Sequence, residues 1–256
     1  MKWPVQTQSH RCFNIVLLHG WGFDHRIWDG FAAALPDYYH IEQPDLFNHE
    51  TFSNDLSDKE FAATVLPLQD YLKKPCVLVG WSLGGLVAIS LARQFPEKVS
   101  AVVLFASSPC FTRRPDWSYG IDNEQLSDLA ERVDNDRQAA LKYFCRLVAH
   151  GDSSPLKTTR ILQAHITKIN KAGLLYGLDM LANIDLRADL AALTCPLATI
   201  LSSNDVLIQP AVAREITRLR PEAHHVLIED AGHAPFVLKK SETAFRLKEF
   251  IHDCCT

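Results

Sequence analysis

The sequence predicts an α/β fold, a mostly parallel central sheet flanked by helices and overlaid by a helical cap insertion, on three observations. Short apolar runs alternate with helix-length segments through the first 105 residues and again from about residue 188. Between 112 and 187 the strand signals vanish and helical spacing remains. The apolar runs are short and continuous, as strands covered on both faces should be.

The elements follow in order. Residues 13–18 read as the first strand, 24–35 as a helix, 38–43 as the second strand and 57–72 as a helix. The run Pro75-Cys76-Val77-Leu78-Val79 is the third strand; a helix from Leu86 to Phe95 and a strand over 98–105 come after it. The insertion carries helices over 123–133, 136–149 and 154–169. Alternation resumes with a strand at 196–201, a helix at 211–220, a strand at 225–228 and a closing helix at 241–251. The expected division is a core of residues 1–111 and 188–256 beneath a cap of 112–187.

Composition sets the class. The 256 residues are 47% apolar and 22% charged, as in an ordinary globular chain, and suffice for one large domain with an insertion. The net charge of -4 argues against a general nucleic-acid binder. No apolar run approaches the roughly 20 residues of a membrane span, and Met1 to Ser9 lacks a secretory pattern, so a cytoplasmic protein is expected; a monomer is a separate expectation. The seven cysteines, at 12, 76, 110, 145, 195, 254 and 255, show no metal-ligand spacing and read as reduced thiols. Cys76 and Cys195 are expected in the core, and Cys254 and Cys255 at the surface.

Gly80-Trp81-Ser82-Leu83-Gly84, followed by Gly85, fits the G-x-S-x-G turn that exposes a serine nucleophile between a strand and a helix. The glycines let strand and helix pack around a strained serine, and the helix N-terminus favours the negative charge of acyl transfer. A serine hydroxyl needs a histidine to take its proton and a carboxylate to orient that histidine. His233, in Ala231-Gly232-His233-Ala234-Pro235-Phe236 after the last strand, has the right context among eleven histidines. His10, His25, His40, His49, His150, His165 and His252 read as surface or loop residues, and His224 and His225 as structural. Asp205, on the loop after the 196–201 strand, gives the chain order Ser, Asp, His; Asp230, Asp179, Asp185 and Asp189 are the rival acids.

An oxyanion hole takes one N–H from the residue after the nucleophile, Leu83, and one from the loop after an early strand. Leu18-His19-Gly20-Trp21-Gly22 supplies the second, with the Trp21 N–H as donor and His19 as a brace of the loop. Trp21 and Trp81 are also candidates for an apolar wall around the acyl chain.

These segments resemble the α/β-hydrolase superfamily over essentially the whole chain. Together with Ala106-Ser107-Ser108-Pro109-Cys110-Phe111, they are most similar to the esterases that hydrolyse the methyl ester of pimeloyl-acyl carrier protein in biotin synthesis. The resemblance implies Ser82, Asp205 and His233 as triad, no metal or organic cofactor, and a substrate pocket touching Trp21, Ser82, Leu83, Phe144, Leu147 and His233. It also implies a cap whose basic residues dock an acidic carrier protein.

Between 137 and 171 this chain has Arg137, Lys142, Arg146, Lys157, Arg160, Lys168 and Lys171 against the single acid Asp152. A basic cap on an acidic body suits an acidic partner; the alternative is a solvated helix face. Arg137, Lys142, Arg146, Lys157 and Arg160 are the docking candidates, with Arg160 aligned to a carrier-contacting arginine. The sequence departs from the resemblance at Cys145, Arg146 and Val148, and at Pro44-Asp45-Leu46-Phe47-Asn48-His49-Glu50, where many relatives carry a glycine-rich turn. The expected activity is ester hydrolysis through an acyl-enzyme. The alternatives are a general short-acyl esterase or other small-molecule hydrolase, and a ligand-binding receptor on a hydrolase scaffold.

Overall fold

The computed structural model describes residues 13–46, 57–73 and 75–255. The readings for Met1 to Ser9, His10, Cys12, residues 47–50 and the Cys255 side chain lie outside the described residues and side chains. The six strands are β1 (Asn14–Leu18), β2 (His40–Glu42), β3 (Cys76–Trp81), β4 (Val99–Phe105), β5 (Leu197–Ser202) and β6 (His224–Ile228). They form one sheet in the order β2-β1-β3-β4-β5-β6, and every pairing is parallel. β1, β3, β4 and β5 are apolar because helices cover both of their faces.

Helices α1 (Asp29–Ala32), α2 (Asp58–Val65) and α3 (Leu83–Gln94) belong to the first half of the chain. The segment read as one helix over 24–35 is a 3-10 turn, His25–Trp28, running into the single turn of α1. Asp24 starts it by accepting the Arg26 N–H. α2 begins with a capping box, in which Ser57 and Glu60 each accept the other's backbone N–H. It gives way to a 3-10 helix, Leu66–Tyr71, where Pro67 enters.

The stretch between β4 and β5 contributes no strand to the sheet. It holds α4 (Asn123–Asn135), α5 (Arg137–Ala149), α6 (Pro155–Ala164), α7 (Lys171–Asn183) and the short α8 (Arg187–Ala191). The helix expected over 154–169 stops at Ala164. The His165 ring takes up the Ile161 carbonyl, and the chain leaves to pair Ile166 with Phe23 and to donate the Thr167 N–H to Gly22. α7 was not expected. α9 (Val212–Leu219), α10 (Pro235–Leu238) and α11 (Lys240–Cys255) complete the core.

One buried aromatic cluster underlies the carboxyl ends of the strands. Trp28 lies 4.3 Å from Phe236, and Phe236 packs edge-on to Trp81 at 5.1 Å, ring centre to ring centre. Cys76, Cys110 and Cys145 are buried, and burial pushes the Cys76 and Cys145 thiols up to about 12, so both stay protonated and unreactive.

Candidate active site

The chain steps from β1 outward to β2 and returns to β3 on the other side of β1, so β1 and β3 flank the point where strand order reverses. Ligands in open parallel sheets bind beyond the carboxyl ends of strands at such a point. Ser82 follows β3 there, Gly20 and Trp21 follow β1, Asp205 follows β5, and His233 follows β6.

Ser82 has φ 54° and ψ -122°, a left-handed conformation that a non-glycine residue adopts only under constraint. The constraint is close packing: a Cβ on Gly80 would meet the Gly84 carbonyl oxygen at 2.3 Å, and one on Gly84 would meet the Leu18 oxygen at 2.2 Å. The Ser107 hydroxyl donates to the Ser82 carbonyl at 2.7 Å. The Ser-Ser-Pro-Cys-Phe run therefore braces the turn from beneath, a role that sequence reasoning did not assign to it.

The His233 ring is held at Nδ1 by Asp205 Oδ2, 2.8 Å away, with the imidazole 1% and the carboxylate 0% exposed, so water does not compete for the contact. The other Asp205 oxygen accepts the Leu207 and Ile208 N–H groups at 2.8 and 3.0 Å. A carboxylate accepts and does not donate, so in this pair the Nδ1–H of His233 donates to Asp205 Oδ2 and Nε2 offers a lone pair. Nε2 is buried and has no hydrogen-bond partner among the described residues. His233 and Ser82 line one cavity without being hydrogen-bonded to each other. The histidine backbone is fixed as well: its N–H donates to Val148, and its carbonyl accepts the Trp81 indole N–H at 2.8 Å.

The rival acids are occupied elsewhere. Asp179 accepts from Asn183, Asp185 pairs with Arg187, and Asp189 pairs with Arg93. Asp230 is exposed, has φ 52°, and its own backbone N–H donates to Ser203 Oγ.

Among the described residues, no hydrogen bond takes up the Trp21 or Leu83 amide, which leaves both as donors beside the turn. His19 is buried in the same loop. Its Nδ1–H donates to Gly20 O at 2.9 Å, and its Nε2 accepts the Leu46 N–H at 3.0 Å. Burial holds its pKa below the usual value, against the opposing pull of Asp45 and Asp24.

The shared cavity holds about 370 Å³ and is walled chiefly by Phe111, Leu126, Leu129, Phe144, Leu147 and Leu178. α4 adds a polar edge of Gln125, Asp128 and Arg132. His150, read from sequence as a surface or loop residue, also lines it. Trp21 and Trp81 do not. Trp21 gives its indole N–H to Leu174 and packs edge-on against Phe144 at 4.8 Å, so the apolar wall expected of these two rings is one layer further in.

Of the basic residues on the insertion, Lys142, Arg146, Lys157, Arg160 and Lys168 are exposed and make no ion pair among the described residues. Arg137 is half-buried and donates to Thr167 O, while Lys171 is paired with Asp134. One group, Asp24, His25 and Asp45, brings three potential metal-ligand atoms together. Its members are already engaged: Asp24 accepts from the Arg26 guanidinium, and Asp45 accepts both the amide and the ring N–H of His25.

Comparison with known proteins adds to this geometry. Residues 15–243 match the model of the family described as "Alpha/beta hydrolase family". A pimeloyl-[acyl-carrier protein] methyl ester esterase of Vibrio cholerae is 32% identical over 98% of this chain and 97% of that protein. A protein of the same name from Nitrosomonas europaea is 34% identical over 88% of this chain and 90% of that protein. Among solved structures, an esterase from Exiguobacterium antarcticum superposes with a TM-score of 0.79 at 21% identity, covering 94% and 92% of the two chains. A bromoperoxidase from Bacillus anthracis superposes equally well, at 22% identity and the same coverage. These two likenesses carry the fold alone.

Proposed function

This chain belongs to the alpha/beta hydrolase family, and we propose that it is a serine esterase that hydrolyses the methyl ester of pimeloyl-[acyl-carrier protein]. One observation carries the chemistry: His233, anchored at Nδ1 by a buried carboxylate, keeps a partnerless Nε2 in the cavity that Ser82 lines.

In this reading Ser82 Oγ attacks the ester carbonyl carbon while its proton passes to His233 Nε2. The amides of Trp21 and Leu83 receive the developing oxyanion; such a donor is worth roughly 10²–10³ in rate. The bond to methoxide then breaks, and the proton on Nε2 leaves with it as methanol. Water adds to the acyl-enzyme as Nε2 takes its proton, and the bond to Oγ breaks as Nε2 returns that proton to Ser82, freeing the acid and restoring the resting pair. Asp205 fixes the tautomer and stabilises the imidazolium throughout.

The apolar cavity of about 370 Å³ lies at the narrow end of small-ligand sites, roughly 300–1,000 Å³, and suits a single extended acyl chain. Residues 112–187 act as a cap over it. The exposed cations Lys142 and Arg146 on α5 and Lys157 and Arg160 on α6, helices that pack together, form a surface for an acidic carrier protein. Arg137 contributes less, since its guanidinium turns inward. One chain supplies all of these groups, so a monomer suffices. A cytoplasmic site of action belongs to the same proposal; among the described residues no helix is long and apolar enough to cross a membrane.

The test is genetic. The chain should restore biotin-free growth to cells lacking their pimeloyl ester esterase, and its Ser82→Ala variant should not. Soluble expression without rescue would reduce the reading to an esterase of small acyl esters. Absence of any turnover or burst of product on p-nitrophenyl esters would favour a binding role.

A further inference from the structure

The insertion between β4 and β5 touches both loops that carry the proposed base and acid, and it does so through one short segment, 148–152. Val148 O accepts the His233 N–H at 3.1 Å, and Gly151 O accepts Asn204 Nδ2 at 3.0 Å, one residue before Asp205. The contact is tight: a Cβ on Gly232 would meet the His150 oxygen at 2.4 Å. At the end of the segment stands Asp152, a buried acid with no part in the mechanism above. Its Oδ1 accepts the Gly232 N–H at 2.7 Å.

We infer that Asp152 is a positioning residue for His233, holding from the insertion the backbone amide that precedes the histidine and so aiming the imidazole at Ser82. The inference rests on the triad reading of Ser82, Asp205 and His233.

A structural role alone accounts poorly for an acid here. Asp152 Oδ2 is buried outside ideal hydrogen-bonding geometry, and the Thr158 hydroxyl, also buried, stands close enough to lower the Asp152 pKa. Burial raises the Asp152 pKa, outweighing the Gly232 N–H and the Thr158 hydroxyl, which lower it; the negative Asp205 nearby adds to the rise and Lys239 opposes it. A neutral side chain could accept the same N–H without that cost. Groups that cost stability in this way concentrate where they serve a reaction. Misplacement of a catalytic group by about 1 Å can cost about 10²-fold in rate.

Steady-state kinetics on p-nitrophenyl butyrate, with the full chain, test this. Asp152→Ala should lower kcat at least tenfold with KM within twofold, while Asp152→Asn, which keeps an oxygen for the Gly232 N–H, should stay within threefold of the parent. Asp152→Ala at parental kcat, or equal losses in both variants, would overturn the inference. If Asp152→Ala does not fold, hydrogen exchange on the unsubstituted protein decides: the Gly232 amide should be protected although it lies in a loop, and free exchange would overturn the inference. Ser82→Ala, run alongside, separates the two levels. Its full activity would remove triad and inference together; an inactive Ser82→Ala beside an unaffected Asp152→Ala would remove the inference alone.

Discussion

Trp81 donates its indole N–H to the backbone carbonyl of His233 at 2.8 Å, so the residue before Ser82 also fixes the residue proposed to activate it. The strand–turn–helix unit and the last loop are thus one mechanical piece, although 152 positions separate them in sequence. Trp81→Phe keeps an aromatic ring in the cluster with Phe236 and removes the donor. The variant should lose about 1–3 kcal/mol of stability, the cost of stranding a buried carbonyl. Its kcat should fall by roughly tenfold, equivalent to about 1.4 kcal/mol of barrier. Thermal unfolding and esterase kinetics check both, and unchanged values in both would show that the bond is idle.

Much of this arrangement is legible in the sequence, because chemistry and sterics there coincide. The sheet reads directly from apolar runs such as Cys76-Val77-Leu78-Val79, since strands covered on both faces need no polar alternation. Ser82, Asp205 and His233 read from turn chemistry and chain order. α7 did not. Its signal existed, with Asn170 capping it by accepting the Gly173 N–H, but Gly173 and Gly177 weaken its helical propensity. Gly177 is there for a tertiary reason: a Cβ would meet Trp21 Cδ1 at 2.7 Å. The facing of the cations was equally hidden, as Arg137 and Lys142 look alike in sequence and only the fold turns one inward. Asp152 was visible only as a lone acid among cations.

The loop after β1, proposed above to serve the oxyanion, makes stability depend on pH. His19 uses both ring nitrogens in neutral form, and protonation would displace the Leu46 N–H. Its folded-state pKa lies below the ordinary 6.5, with desolvation outweighing the raising effects of the Gly20 hydrogen bond, Asp45 and Asp24; His25 adds to the lowering. From pH 6.5 down to that lower value the unfolded chain binds a proton that the folded chain refuses, so stability is fully present above pH 6.5 and declines as pH falls through the folded-state value. Melting temperatures from pH 8 to pH 5 should drop less steeply for His19→Asn than for the parent. Parallel slopes would argue against a buried neutral His19.

Asp152 carries the opposite sign. Its folded-state pKa is raised, so its contribution is present below the unfolded value of 3.8 and is lost as pH rises through the folded one. Asp152→Asn should therefore melt higher than the parent at pH 8, and the gap should close toward pH 4. A variant less stable at pH 8 would contradict the burial cost.

Reversal of Arg146 and Arg160 to glutamate should raise KM for carrier-bound pimeloyl methyl ester about tenfold or more, with the effect shrinking at high salt. The kcat/KM for p-nitrophenyl butyrate should stay within about twofold. Equal losses on both substrates would point to damage inside the cavity instead of a docking surface.

The proton relay itself is tested most directly by the rate and position of labelling with a fluorophosphonate. The account predicts a single adduct, mapped by peptide mass to Ser82, with labelling slowed at least about 10³-fold in His233→Ala. Modification at another residue, or an unchanged rate without His233, would contradict it.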